Sequence, residues 1–276
     1  MEAKLINLDD YVLSGGGANG DSYDHKTDKS IMLKLYLPGK IEQPVNEMEL
    51  ARKVYNAGIP TPEPGDYVKT PDGRYGIRFR RIVGKKSYSR AIGDEPERAE
   101  EFGVKFAQEC RKLHSISVDT SIFNSIKDDY CRLLEQNPFF TAAEKSKVEK
   151  FILDAPDSDK ALHGDLQYSN LIFVGDQQYF IDLGDFAYGY NLFDIGMVYV
   201  CAVLTDTAFR AETFHMDDAT SLRFWKAFAG AYFGTDRPLE SIEEEVMPFA
   251  GLKTLIIERD TKCPMPIFRA ALKSIL

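Results

Sequence analysis

The chain lacks the residue patterns that several classes of protein require. Its four cysteines in 276 residues are scattered and form no C-x-x-C pair, so neither a disulfide framework nor a cysteine-based zinc site is expected. The four histidines show no H-E-x-x-H spacing. These absences favour a protein with reduced thiols in the cytoplasm.

Long apolar runs and an excess of basic charge are also missing. The longest apolar run, Ile195 to Leu204, is too short to cross a bilayer, and the N-terminal sequence MEAKLINLDDYVL lacks the features of a signal peptide. The 43 acidic residues outnumber the 34 Lys and Arg residues, whereas nucleic-acid binders usually present a basic face. The sequence therefore predicts a cytoplasmic protein that binds neither membranes nor nucleic acids.

The most informative segment runs from His163 to Asp182 and reads HGDLQYSNLIFVGDQQYFID. Asp165 is followed five residues on by Asn170, and Asp182 lies twelve residues further. The apolar segments Leu171 to Val174 and Tyr179 to Leu183 flank a Gly-Asp turn. They predict a hairpin that brings Asn170, just before the first strand, near Asp182 in the second strand. Magnesium prefers such oxygen ligands. The arrangement suits phosphoryl transfer from ATP, with Asp165 taking or orienting a hydroxyl proton and Asn170 and Asp182 holding Mg²⁺.

The same segment, together with FIDLGDFAYGYNLFDIG after it, resembles the active-site core of the aminoglycoside phosphotransferase and choline kinase superfamily. The pattern in that superfamily is H-G-D-x-x-x-x-N, then I-D, then a glycine and a further aspartate, places that Gly189 and Asp194 fill here. Its members are small-molecule kinases with a protein-kinase-like fold. The resemblance implies that Asp165 is the catalytic base and that Asn170 and Asp182 are the metal ligands.

The order of predicted elements fits an α+β, two-lobed protein-kinase-like fold. Residues 1–83 are expected to be β-rich, with a strand at Ile31 to Leu37, one helix at Pro44 to Ala57 and a hairpin after it. Residues 84–276 are expected to be mainly helical. We therefore predict a nucleotide-binding lobe over 1–83 and a catalytic and substrate-binding lobe over 84–276.

A lysine in the first predicted strand, Lys34, lies among apolar neighbours. Burial of an ammonium group is costly unless a charge partner is near. In the resembling family, the strand lysine contacts the α- and β-phosphates and pairs with a glutamate of the following helix. Glu47 is the candidate for that glutamate and Glu49 is the alternative. A solvent-exposed lysine on an edge strand is the purely structural interpretation.

A glycine-rich segment upstream fits G-x-G-x-x-G, with Gly15, Gly17 and Gly20 in the glycine places. Such glycines let backbone amides approach phosphates closely. Polar residues and a strand follow, rather than the helix that a dinucleotide-binding fold needs, so a kinase-type phosphate loop is favoured. Adenine is expected to hydrogen-bond to the backbone from Arg81 to Val83.

Two departures from protein kinases favour a small-molecule acceptor. Gly164 stands where protein kinases carry an arginine, and only twelve residues separate Asp182 from Asp194, which leaves no room for a long activation segment. We expect His163 to support the catalytic loop by hydrogen bonding. Asp194 is expected to be a helix N-cap that also anchors this loop.

The acceptor itself is left open. Acidic clusters and a group of aromatic residues after Asp194 would suit a cation, although such patterns usually belong to solvated faces and cores. The predicted function is an ATP- and Mg²⁺-dependent O-phosphotransferase acting on a small-molecule hydroxyl, with an aminoglycoside-like amino sugar as one acceptor. The alternatives are a kinase of choline, of another amino alcohol or of a sugar metabolite, and a non-catalytic nucleotide-binding module. GTP stays open as the donor.

Overall fold

The computed structural model describes residues 2–17 and 20–276. The described residues form two compact units. The first comprises the chain up to Lys86 and Ile172–Gly184, and the second comprises Ser87–Leu171 and Asp185–Leu276. The first is mostly strand and the second mostly helix, which confirms the predicted α+β class. The assignment of nucleotide binding to 1–83 and of catalysis to 84–276 stays a prediction.

The strands and helices are numbered here in chain order. The strands are β1 (Lys4–Leu5), β2 (Tyr11–Gly17), β3 (Gly20–His25), β4 (Ile31–Tyr36), β5 (Pro64–Lys69), β6 (Tyr75–Arg80), β7 (Lys86–Ser87), β8 (Ala161–Leu162), β9 (Leu171–Val174), β10 (Gln177–Phe180) and β11 (Ala187–Tyr188). The α-helices are α1 (Glu42–Asn56), α2 (Tyr88–Asp94), α3 (Ala99–Leu113), α4 (Ile126–Gln136), α5 (Ala142–Asp154), α6 (Leu192–Tyr199), α7 (Thr207–Phe214), α8 (Asp218–Phe233), α9 (Leu239–Leu252), α10 (Thr254–Thr261) and α11 (Pro266–Ala270). Short 3-10 turns cover Leu8–Asp10 and Pro96–Arg98, and a π-helical segment, Val200–Leu204, extends α6.

Within residues 2–17 and 20–276, no single helix has the length and hydrophobicity to cross a membrane. One pair of helices, Leu192–Leu204 and Thr207–Phe214, has the length and composition of a membrane span when the two are taken together. The chain bends by 114° between them.

The first unit is built on a six-stranded sheet with the order β1-β5-β6-β4-β3-β2. Strand β1 pairs in parallel with β5 and the other pairs are antiparallel. Alternate residues of a strand point to opposite faces, so β4 contributes to two cores: Leu33 and Leu35 pack with Val68, while Tyr36 packs with Met48 of α1. The predicted strand and helix of this region are therefore present within two residues of their expected bounds.

The predicted hairpin around the Gly-Asp turn is present as β9 and β10. The backbone N–H of Phe180 donates to the carbonyl of Pro60 at 2.8 Å, which attaches the hairpin to the rest of the first unit. The second strand was predicted to include Asp182, and this detail is wrong. Asp182 follows the strand because its φ of 60° is incompatible with an extended ladder.

The second unit is held together by close helix packing. Helix α3 packs on α8, and α6 packs on α9. A β-carbon on Gly103 would lie 2.5 Å from the carbonyl oxygen of Phe224, and one on Gly196 would lie 2.6 Å from the backbone carbon of Phe249. These glycines therefore allow the close approach of the paired helices.

Strands β8 and β11 form a short antiparallel pair in the second unit, and the loop that begins at His163 follows β8 directly.

Candidate active site

In the first unit, Lys34 lies at the centre of a charge cluster. Its strand position faces Ser22 of β3 and Ile77 of β6. The ammonium nitrogen of Lys34 donates to Glu47 Oε1 at 2.7 Å and to Asp182 Oδ1 at 2.7 Å. The predicted pair with Glu47, rather than with the alternative Glu49, is thus present.

The cluster keeps Lys34 charged although the side chain is only 19% exposed. Burial lowers the pKa of Lys34, but the carboxylates of Asp182 and Glu47 raise it by more, so that the net shift is upward. Burial also raises the pKa of the neighbouring Tyr36, and the negative charge of Glu47 adds to that effect. The site therefore presents one fixed cation between two carboxylates, beside a neutral phenol.

The backbone at Asp182 is unusual. Its φ of 60° lies in the left-handed region that non-glycine residues seldom adopt. Half of its side chain is exposed. Strained conformations of this kind cluster at ligand-binding positions, and the strain here directs a carboxylate toward Lys34. Spacing alone did not reveal this feature.

The glycine-rich segment forms the end of the β2–β3 hairpin. Gly15 pairs with Ser22, and Gly17 pairs with Gly20. A β-carbon on Gly20 would lie 2.2 Å from the carbonyl oxygen of Leu35, so this glycine is needed for strand packing. Residues 18 and 19 lie outside the described residues, and the phosphate-binding role of the loop stays a prediction.

The expected base-binding segment follows β6. The backbone N–H of Arg81 donates to the carbonyl of Ser30 at 2.7 Å, and its guanidinium pairs with Asp24 at 2.6 Å. Val83 is 59% exposed. The N–H of Arg81 is therefore already engaged, and the predicted adenine contact with the backbone from Arg81 to Val83 stays a prediction.

In the second unit, the loop after His163 brings Asp165 and Asn170 together. The side-chain amide nitrogen of Asn170 donates to the carbonyl oxygen and to Oδ2 of Asp165, both at 3.0 Å. Gln167 Nε2 donates to the same carboxylate oxygen at 2.9 Å. These amides hold the carboxylate in one orientation. Because Asn170 uses its nitrogen here, its amide oxygen is the atom that can coordinate a cation.

The backbone of the loop is fixed by His163 and Asp194. The N–H of Asp165 donates to Nδ1 of His163 at 3.3 Å, as the predicted supporting role requires. The fully buried carboxylate of Asp194 accepts from the N–H of His163 at 2.7 Å and from that of Gly164 at 2.8 Å. Asp194 thus anchors the loop. The prediction that it is an N-cap is wrong, since α6 begins two residues earlier, after Asn191.

A buried chain of polar groups supports Asp194. His114 Nε2 lies 3.0 Å from Asp194 Oδ2, and its Nδ1 lies 2.7 Å from the hydroxyl of Tyr232. Burial alone would raise the pKa of Asp194, but His114 and nearby positive charges lower it by more. The sequence patterns gave no indication of His114, and they placed Tyr232 only among the aromatic residues after Asp194. The available signal was a histidine directly after the apolar stripe of α3, which is weak by itself.

Gly164 is confined by its surroundings. Its φ is +85°, and a β-carbon would lie 2.0 Å from the carbonyl oxygen of Asp185. The sequence shows only that Gly164 stands where protein kinases carry an arginine. The structure adds a steric reason for glycine, because a side chain at this position would collide with the backbone of Asp185.

We expect Gly164→Ala to lower the free energy of unfolding by about 3 kcal/mol or more, since left-handed strain and displacement of the Asp185 backbone add together. Gly73→Ala is the matched control, because Gly73 has a φ of +89° but its β-carbon would meet nothing within 4 Å. That variant is expected to lose only about 1–2 kcal/mol. Urea unfolding measures both losses, and equal losses would contradict the steric reason.

The acidic and aromatic clusters after Asp194 have structural roles. Asp217 caps the start of α8, and Asp218 pairs with an arginine. Glu243 accepts from an indole N–H, and Glu258 accepts from a buried side-chain amide. Aromatic members stack along α8; they are Phe224, Trp225, Phe228 and Tyr232. These contacts give the named residues structural roles. Among the described residues, no group of three or more His, Cys, Asp or Glu side chains forms a metal site, and ligation of Mg²⁺ by Asn170 and Asp182 stays a prediction.

Comparison with known proteins gives one family match. The family model described as APH, the phosphotransferase enzyme family, matches residues 11–228, which is most of the chain. A search of curated proteins found no match.

Solved structures share the fold at low sequence identity. A choline/ethanolamine kinase family protein from Mesorhizobium loti is 18% identical, with a TM-score of 0.56 over 96% of this chain and 84% of that chain. A thermostable mutant of aminoglycoside phosphotransferase APH(4)-Ia, in ternary complex with ADP and hygromycin B, is 13% identical, with a TM-score of 0.64 over 96% and 94%. The streptomycin–ATP–APH(2'')-IIa complex is 16% identical, with a TM-score of 0.55 over 96% and 90%. These likenesses confirm the predicted fold.

Proposed function

Because the chain belongs to the phosphotransferase enzyme family, we propose that it transfers the γ-phosphoryl group of ATP to a hydroxyl group of a small molecule, with Mg²⁺ as cofactor. Family membership confirms the resemblance found in the sequence and the predicted class of enzyme, a small-molecule phosphotransferase. The choice of ATP over GTP, the need for Mg²⁺ and the acceptor belong to the proposal.

The observation that supports the proposal most strongly is the restraint on Asp165. Its carboxylate is held by the amides of Gln167 and Asn170, and its N–H is held by His163. A general base must be aimed before the substrate arrives, because proton transfer depends on geometry first and on pKa second. We assign to Asp165 the binding of the acceptor hydroxyl and the removal of its proton.

Lys34 is assigned to the donor phosphates. Its ammonium is held in place by Glu47 and Asp182, so its charge needs little reorganisation when the α- and β-phosphates bind. The amide oxygen of Asn170 and the carboxylate of Asp182 would hold Mg²⁺, which prefers oxygen ligands. When bound, Mg²⁺ neutralises charge on the transferred phosphoryl group.

The remaining donor contacts are assigned to backbone groups. Amides near Gly15, Gly17 and Gly20 would cradle phosphates at the end of the β2–β3 hairpin. Backbone groups from Arg81 to Val83 would bind the base. Support for these two roles comes from the order of the strands and from the resemblance.

For the acceptor we propose an amine-bearing alcohol, with an aminoglycoside-like amino sugar as the first candidate. Fold neighbours have been solved with hygromycin B and with streptomycin, and another is named as a choline/ethanolamine kinase family protein. The net charge of −9 suits a cationic acceptor in general terms. Choline, another amino alcohol and a sugar metabolite are the alternatives within the same reaction class.

A coupled ADP-release assay over amino sugars, amino alcohols and simple sugars tests this proposal. We expect ADP release that depends on ATP, on Mg²⁺ and on at least one acceptor of the panel. A parallel thermal-shift measurement with Mg-ATP reports nucleotide binding. Stabilisation by Mg-ATP without release of ADP for any acceptor would favour a non-catalytic nucleotide-binding module instead.

A further inference from the structure

A buried lysine contacts the catalytic loop in the second unit. Lys253 lies between α9 and α10 and is 0% exposed. Its ammonium nitrogen donates to the carbonyl oxygen of Gly164 at 3.1 Å. The same nitrogen lies 5.3 Å from the centre of the Tyr130 ring, within the range of a cation–π contact.

The contact falls on the peptide bond that leads into Asp165. The carbonyl of Gly164 and the N–H of Asp165 belong to one planar unit. Lys253 holds the oxygen of this unit, while Nδ1 of His163 accepts from its N–H. The preceding peptide is held through the N–H of Gly164, which donates to Asp194. Both peptide planes before Asp165 are therefore fixed by side chains.

Packing alone does not explain a lysine at this position. Burying an ammonium group is costly, and Leu252 and Leu255 beside it are apolar, as a residue with only a packing role would be. Burial lowers the pKa of Lys253, but Tyr130 and the carboxylates of Asp194 and Asp165 raise it by more, so that the group stays charged. A buried cation thus stands beside the buried carboxylate of Asp194, and both bond to Gly164.

We propose that Lys253 is a positioning residue of the enzyme, which fixes the Gly164 carbonyl and thereby the direction in which Asp165 points. The effect on turnover rests on the proposed phosphotransferase function, whereas the effect on the loop does not. Lys253 is fully buried and acts through the backbone of the loop. Its loss should therefore change kcat and leave the KM for ATP nearly unaltered.

The test compares Lys253→Met, Lys253→Arg and wild type, with Lys226→Met as the matched control for the loss of a lysine. Lys226 lies on α8 and is exposed. Hydrogen exchange of the amides of residues 163–165 is measured by mass spectrometry or NMR. We expect about tenfold to hundredfold faster exchange in Lys253→Met, the size expected for loss of a charged hydrogen bond. Lys253→Arg should lie closer to wild type, and Lys226→Met should equal it.

Steady-state kinetics of the same proteins give the second readout. We expect kcat of Lys253→Met to fall about tenfold to hundredfold while the KM for ATP changes less than about threefold. Unchanged exchange and unchanged kcat in Lys253→Met would overturn the proposal. Exchange that is faster by the same factor throughout the second unit of Lys253→Met would also overturn it. So would a Lys253→Arg variant whose exchange and kcat equal those of Lys253→Met. Either result would indicate that Lys253 contributes only to general packing.

The two proposals can fail separately. If wild type transfers no phosphate to any acceptor, the proposed function fails, and the exchange measurement still decides whether Lys253 positions the loop. If wild type is active and Lys253→Met equals it in both readouts, the function stands and only the role of Lys253 is overturned.

Discussion

Replacement of Asp165 by asparagine is expected to lower kcat by about a hundredfold to ten-thousandfold, the usual effect of losing a general base. Asparagine has nearly the same size and keeps the carbonyl oxygen that can accept from Gln167 and Asn170. It cannot take the proton of an acceptor hydroxyl. The measurement is steady-state release of ADP with an acceptor identified from the panel.

The control for this substitution is Asp176→Asn. Asp176 is an exposed aspartate in the turn of the β9–β10 hairpin, so the same chemical change there should leave kcat unaltered. Thermal unfolding of both variants establishes that each is folded. Near-normal turnover in Asp165→Asn would remove Asp165 from the role of base.

The second large effect is expected at Asp182. Asp182→Asn should weaken Mg²⁺-dependent binding of ATP by at least about a hundredfold. Loss of a residue that merely supports a metal ligand lowers metal affinity about tenfold to hundredfold, and loss of the ligand itself should lower it by more. Asparagine tolerates the left-handed backbone that Asp182 adopts, with φ of 60°. The substitution therefore removes the charge with little change in conformation. Calorimetric titration with ATP measures the affinity.

Weaker binding of ATP by Asp182→Asn has two explanations, loss of a metal ligand and loss of the ion pair with Lys34. The dependence of ATP binding on Mg²⁺ separates them. A metal ligand contributes only when Mg²⁺ is present, whereas Lys34→Met should weaken ATP binding with and without Mg²⁺. Asp66→Asn is the control for a paired carboxylate in the same unit, because Asp66 bonds to Lys4 and Arg78. Unchanged heats for Mg-ATP in Asp182→Asn would exclude the metal role.

Local patterns predicted the parts of the site that are close in sequence. Asp165 and Asn170 are five residues apart and are joined by hydrogen bonds. The pair of Lys34 with Glu47, thirteen residues apart, was implied by the family resemblance and is present; the short connection from strand to helix brings the two residues together. In both cases a short connection limits where the second residue can lie.

Details that depend on one backbone angle were predicted less well. Asp182 was placed inside a strand, yet its positive φ ends the extended conformation before it. Asp194 was expected to cap a helix and to anchor the catalytic loop; its carboxylate binds the loop amides as expected, but the helix starts earlier, so the cap was wrong. The short strands β8 and β11 are two residues long, which is too short for any alternating pattern to mark them.

The sequence by itself determined the reaction class, the α+β fold and the candidate base, since spacing and strand patterning are local properties. Only the tertiary structure decided what holds that base in place. Lys253 is 89 residues from Gly164, and His114 is 80 residues from Asp194. Contacts over such separations arise because the helices of the second unit pack around the loop, and no periodicity of the chain records them. The physical reason is that a buried charge is stable only when folding brings its partners together.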